Sequence, residues 1–166
     1  MDRRTTNVEI FNDSVSLMRE NDRLKKAVEN SIRNQRLYLE KEELPTPADK
    51  GLKCRIVISK KRSFEAASVY ALAGKKVAVH NFASATNPGG GVTRGSTAQE
   101  ECICRCSTLF PCLDNDKMWQ QFYLPHRRAG NPLYNDDCLY TPDVVVFKSD
   151  IVFQSEWQRK IGILLM

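Results

Sequence analysis

The segment Asn87-Pro88-Gly89-Gly90-Gly91 constrains this chain more than any other. It can form neither a helix nor a central strand. Pro88 fixes its own φ and pushes Asn87 toward an extended conformation. Three consecutive glycines permit positive φ and let a ligand approach the backbone without meeting a Cβ. Ahead of them, Val77-Ala78-Val79, interrupted by His80 and resumed at Phe82-Ala83, predicts a short buried strand. Behind them, Ser96-Thr97-Ala98-Gln99 matches a capping box, with Ser96 as N-cap and Gln99 at the third helical position. Glu100 and Glu101 then fall in the first turns of a helix continuing through Cys106. Strand, glycine loop, helix N-terminus and two carboxylates lie within one supersecondary unit. Together they make a candidate site.

The chemistry open to such a site follows from its parts. A glycine loop leading into a helix N-terminus suits an anion, because unpaired N–H groups and the helix dipole point at the ligand. The loop is neither GxGxxG nor GxxxxGK[ST], so dinucleotide and P-loop readings lack their residues. A glutamate beside a second glutamate and a bound diphosphate feels like charges, which raise its pKa, while the dipole opposes the shift. Where repulsion and burial win, one glutamate stays protonated and serves as general acid on a glycosidic bond, and its neighbour holds sugar hydroxyls. Retaining and inverting outcomes both fit.

A chain of 166 residues predicts one domain, with residues 1–50 as a helical extension and 51–166 as an α/β body. No run approaches the roughly 18 apolar residues of a membrane span. The N-terminal MDRRTTNVEIFNDS lacks the apolar core of a signal peptide, which predicts a cytoplasmic protein. The net charge of +5 comes from interspersed acids and bases and favours anionic ligands without identifying a nucleic-acid binder. Without secretion, the six cysteines are not a disulfide framework. Zinc is the alternative, but no Cys-x-x-Cys pair exists and only His80 and His126 are available. Reduced, partly buried thiols acting as small apolar residues are expected, and no metal.

Elsewhere, Asn12 to Leu39 predicts an amphipathic helix capped by Asn12 or Asp13, with Leu17, Leu24, Val28 and Ile32 on its apolar face. Acids interrupt its basic residues, so it is read as docked on a core rather than on nucleic acid. Glu43 to Gly51 is a loop. Cys54 to Ser59 (CRIVIS) predicts a buried strand, and Ser63 caps a helix ending near Gly74. The β-α-β order suggests a three-layer α/β arrangement with a largely parallel sheet, whose ligands lie beyond the carboxyl ends of strands. Asp114 to Tyr123 predicts a helix and Leu124 to Asp137 a loop, with Arg127-Arg128 a solvated pair rather than a phosphate ligand. Cys138 to Tyr140 and Val144 to Phe147 predict strands.

NPGGGVTRGSTAQEE resembles the signature of the poly(ADP-ribose) glycohydrolases: a triple glycine, a short spacer (here Val92 to Ala98) and QEE. VAVHNFASATNPGGG before it and CICRCSTLFPCL after it are similar to the bacterial branch of that family, as are SKKRSFEAAS and NDDCLYTPDVVVFK. The resemblance runs from about Asn7 to Lys148. It implies a macrodomain-like three-layer α/β/α fold with a mixed sheet. It also implies Glu101 as catalytic acid at the ribose–ribose bond, Glu100 orienting ribose hydroxyls and Gln99 supporting the carboxylates. Asn87 would contact the distal ribose, and Gly89, Gly90, Gly91 and Val92 would form the loop against ribose and diphosphate. ADP-ribose, its polymer and ADP-ribosylated proteins are the implied partners, with no cofactor. Family members continue well beyond the position matching Phe147, so the C-terminal half of the fold is expected to be missing or reduced. The end of the chain, IGILLM, reads as a final strand or an unrelated tail. An ADP-ribose-binding module with little or no turnover is the alternative function, and a basic nucleic-acid-binding protein the third.

Overall fold

The computed structural model describes residues 2–51, 53–149 and 159–165. Four strands, β1 (Arg36–Tyr38), β2 (Ala78–Asn81), β3 (Cys138–Val146) and β4 (Arg159–Leu165), form one sheet in the order β1-β3-β4-β2. β3 pairs antiparallel with both β1 and β4, placing Leu37 opposite Leu139 and Leu139 opposite Leu165. β2 runs parallel to β4, with Val79 opposite Ile163. The sheet is mixed, and only one of its pairings is parallel. Of the two readings of the chain end, the strand is the one formed. The preceding Gln154 to Gln158 and Met166 lie outside the described residues.

The two strands expected around Thr141 are one. Pro142 lacks an N–H for the ladder, and Asp143 takes a positive φ of 56°, which an Asp tolerates better than most residues. The register shifts there, between Thr141 and Val144, and the β-branched run Val144 to Val146 resumes the pairing. The strand expected over Cys54 to Ser59 is absent. Ile56 and Ile58 are 85% and 95% exposed, and the segment lies outside the four-stranded sheet. A β-prone run becomes a strand only where a neighbour supplies hydrogen bonds and cover, and among the described residues this one has neither. The largely parallel sheet inferred from a β-α-β order fails for the same reason.

Asn12 to Leu39 is not a single helix. α1 (Arg3–Glu20) starts well before Asn12, and α2 (Asp22–Asn34) follows after a break at Asn21. Asn21 caps α2 by accepting from the N–H groups of Arg23 (3.0 Å) and Leu24 (3.2 Å). Phe11, Ser14 and Met18 of α1 and Leu24 of α2 are buried, so both helices contribute to the core. After α2, buried Gln35 donates to the Cys112 carbonyl and the Thr141 hydroxyl, turning the chain into β1.

α3 (Ser63–Leu72) packs on β2 and β4. Its cap position is Arg62, whose N–H donates to Glu65, so Ser63 is the first helical residue rather than the cap. α4 (Gln99–Cys106) and α5 (Leu109–Leu113) carry much of the core, including Ile103, Cys104, Leu109 and Leu113. A last helical stretch runs as α6 (Asp116–Met118), a wide π turn (Trp119–Tyr123) and α7 (Leu124–Ala129). The expected helix is therefore extended into what read as a loop. Pro125 lacks an N–H and crowds the carbonyl four residues back, and the widened turn before it relieves that conflict. Among the described residues, no helix is long and apolar enough to cross a membrane.

Candidate active site

Glu100 and Glu101 occupy the first turn of α4 and are buried, at 3% and 7% exposure. Ser96 is not its cap; Ala98 occupies that position and offers no side-chain bond. Ser96 is engaged elsewhere, its carbonyl accepting from Arg105 (2.6 Å) and its N–H donating to Gly91. Gln99 fixes the helix start instead. Its carbonyl oxygen accepts from the Phe82 N–H (2.7 Å), and its NH2 donates to Ser63 Oγ (2.7 Å) and the His80 carbonyl (2.9 Å). One side chain thus joins α4 to the end of β2 and the start of α3, beside the carboxylates.

Each glutamate has one tied oxygen and one without a protein partner. Glu100 Oε2 accepts from the Ser84 N–H (2.8 Å), and Glu101 Oε1 from the Gly91 N–H (2.8 Å). Glu100 Oε1 and Glu101 Oε2 are buried with no hydrogen-bond partner among the described residues. Burial pushes the Glu100 carboxyl up from 4.5 to about 7, and the Glu101 charge adds to the shift. The N–H groups of Ser84 and Gly89 and the Asn81 amide work against it.

The glycine loop is wound by short turns in which Gly90 donates to the Asn87 carbonyl and Val92 to that of Gly89. A Cβ on Gly90 would lie 2.6 Å from Glu101 Oε1, on Gly91 2.3 Å from Ser96 Oγ, and on Gly89 2.9 Å from the Phe110 ring. At all three positions a side chain would force a neighbouring side chain to move. Val92, 1% exposed, anchors the loop in the core through its side chain. From the other direction, α1 holds the exit of the loop. Asn7 donates to the Gly95 carbonyl (3.0 Å), and the Arg4 carbonyl lies where a Gly95 Cβ would go.

Asn87, half-buried, accepts at Oδ1 from Arg127 Nη2 (2.6 Å). Arg127 also donates from Nε to the Thr86 carbonyl (2.7 Å) and lies over the Trp119 ring at 4.6 Å. It is exposed, as expected of a surface cation, and it also clamps the loop. Its neighbour Arg128 is exposed. Two further residues were not anticipated. Asn81, at the carboxyl end of β2, is fully buried, and among the described residues neither its amide atoms nor the hydroxyl of buried Tyr123 has a hydrogen-bond partner. Both lie close enough to Glu100 for mutual electrostatic influence. Cys104, Cys106 and Cys112 are buried and fill core space, with no disulfide among them.

The fold and site define an α/β protein with a mixed sheet, in which a buried carboxylate pair faces a triple-glycine loop at the end of a strand. The chain belongs to the family of the microbial-type PARG catalytic domain, whose model matches residues 5–149. It is similar to the poly(ADP-ribose) glycohydrolase (PARG) of Thermomonospora curvata at 31% identity and a TM-score of 0.84, over 98% of this chain and 64% of that one. The same enzyme bound to the inhibitor ADP-HPD matches at 29% identity and a TM-score of 0.81, over 98% and 62%. PARG from Deinococcus radiodurans in complex with ADP-ribose matches at 31% identity and a TM-score of 0.58, over 65% of this chain and 42% of that one. The chain therefore spans less than two thirds of the length of these relatives. No curated protein matches it.

Proposed function

We propose that this chain is a poly(ADP-ribose) glycohydrolase, cleaving ribose–ribose O-glycosidic bonds and releasing ADP-ribose. It acts on the polymer and on ADP-ribosylated proteins, in the cytoplasm, where its six cysteines, none of them in a disulfide, stay reduced. It reads as one macrodomain-like domain, in which residues 1–50, the helical extension, contribute α1, α2 and β1 to the core and sheet shared with the 51–166 body that carries the glutamates. The observation that supports the reading best is the pair of buried glutamates, each with one oxygen held by a loop N–H and the other unpaired among the described residues. Unpaired buried carboxylate oxygens cost stability, and proteins keep such groups where a ligand completes them.

In this reading Glu101 protonates the leaving oxygen and Glu100 takes the ribose hydroxyls. Gln99 fixes the turn that carries both. Asn87 meets the distal ribose, while the backbone of Gly89, Gly90, Gly91 and Val92 lines the diphosphate side. The developing oxocarbenium charge is met by the carboxylates, and water completes hydrolysis. One observation favours a second assignment of the proton. Glu100, at about 7, is the carboxyl for which burial favours the neutral form near neutral pH.

The test measures ADP-ribose release from polymer and ADP-ribose binding on the same samples, for wild type, Glu101→Gln and Glu100→Gln. Loss of release with binding kept in Glu101→Gln supports Glu101 as acid. The same pattern confined to Glu100→Gln transfers the role. Binding without release in wild type leaves an ADP-ribose-binding module.

A further inference from the structure

Residues 50–62, KGLKCRIVISKKR, carry six cations and no acid. The reading of interspersed acids and bases fails here, since this run alone holds more positive charge than the +5 net of the whole chain. Every described residue in it is exposed, and none lies in a helix or strand. Between Arg55 and Lys60 sit Ile56 and Ile58, 85% and 95% exposed, the two most exposed of the chain's described isoleucines. Like charges along an acid-free stretch repel one another, and aliphatic side chains gain nothing in water. A ligand with repeated negative charges and flat apolar faces answers both.

The run also leads to the carboxylates. It ends at Arg62, next to Ser63, whose hydroxyl accepts from Gln99, the residue before Glu100. A strand of phosphates lying along residues 50–62 would arrive at the first turn of α4. We propose that residues 50–62 form a track for the diphosphates of an ADP-ribose polymer, so that the chain engages polymer more tightly than single ADP-ribose. Cations along the track displace counterions from successive diphosphates, and Ile56 and Ile58 offer apolar contact to the bases. This inference rests on the glycohydrolase reading above.

The test compares wild type with K53Q/R55Q/K60Q/K61Q, leaving Arg62 intact because it starts α3. Binding of purified poly(ADP-ribose) and of ADP-ribose is measured across a salt series, with a thermal melt of each protein and single-stranded DNA as competitor. The expected result is an unchanged melt, unchanged ADP-ribose affinity and polymer affinity at least tenfold weaker at low salt. The slope of log affinity against log salt should become shallower by about 3, from four contacts at roughly 0.7 each. Equal polymer affinity and slope in the two proteins, with ADP-ribose bound by both, overturns the track alone. Failure of wild type to bind ADP-ribose overturns the reading it rests on. DNA that displaces the polymer at equal phosphate concentration overturns the polymer as occupant and makes the run a general nucleic-acid contact.

Discussion

Gly90 and Glu101 are in such close contact that a single methyl group would separate them. A Cβ on Gly90 falls 2.6 Å from Glu101 Oε1 and 3.1 Å from Glu100 Oε2, and its φ is +59°. Gly90→Ala must therefore displace one of the carboxylates as well as strain the backbone, which alone costs about 1–3 kcal/mol. Gly74 supplies the control, since its φ is +73° but nothing lies within 4 Å of its Cβ position. Thermal melts and ADP-ribose titrations should show both alanine variants destabilised, with affinity lost by tenfold or more only in Gly90→Ala. Equal affinities in the two would mean that the loop does not set the carboxylate geometry.

The raised pKa of Glu100 predicts the sign of a pH effect on stability. Its carboxyl titrates at about 7 in the folded chain against 4.5 in the unfolded one. Between those values the folded state binds more protons, so stability falls as pH rises. The favourable contribution is complete below 4.5 and gone above 7. At about 1.4 kcal/mol per unit it amounts to about 3 kcal/mol. Wild type should lose more stability than Glu100→Gln on going from pH 5 to pH 8, by about 2–3 kcal/mol in denaturant titrations. Parallel losses in the two proteins would remove Glu100 as the titrating group.

The site was more legible in the sequence than the fold around it. Glycines, proline and paired glutamates act through the local backbone, and a loop running into a helix keeps them together whatever surrounds it. Glu100 and Glu101 reach the loop over short spans, 16 residues to Ser84 and 10 to Gly91, so the local sequence brings them together. Cys54 to Ser59 misled because strand propensity says nothing about whether a partner strand is present. The break at Asn21 was hidden by apolar spacing that continues through it, although an Asn followed by Asp is a capping signal in its own right. Arg127, Asn81 and Tyr123 carried no local signal. Their place depends on packing between segments tens of residues apart, as with the 40 residues between Arg127 and Asn87.

Arg127 should behave as a positioning residue. It holds the Thr86 carbonyl and the Asn87 side chain while resting on Trp119. Removing it leaves Asn87 free to turn away from the ligand, and a misplacement of about 1 Å can cost on the order of a hundredfold in rate. Arg127→Ala should raise KM strongly with a smaller change in kcat, because the chemistry belongs to the glutamates. Arg127→Lys, which can keep one of the two hydrogen bonds but not the planar fork, should fall between. A loss confined to kcat with KM intact would place Arg127 in the chemical step and contradict the clamp.

Asn81 separates stability from function most sharply. It is fully buried, and among the described residues neither its amide oxygen nor its nitrogen has a hydrogen-bond partner, although it lies near enough to Glu100 to favour that carboxylate's charge. Unpaired buried polar atoms cost about 1–3 kcal/mol, so a side chain of similar size without them should be tolerated. Asn81→Leu is therefore expected to melt at or above the wild-type temperature. It should also push the Glu100 pKa further up, because an interaction favouring the ionised form is gone. Proteins keep such costly groups where function needs them, so the same variant should lose ADP-ribose affinity or turnover by tenfold or more. A variant destabilised by about 2 kcal/mol with full activity would show the opposite, that Asn81 is a core residue with partners of its own and no part of the site.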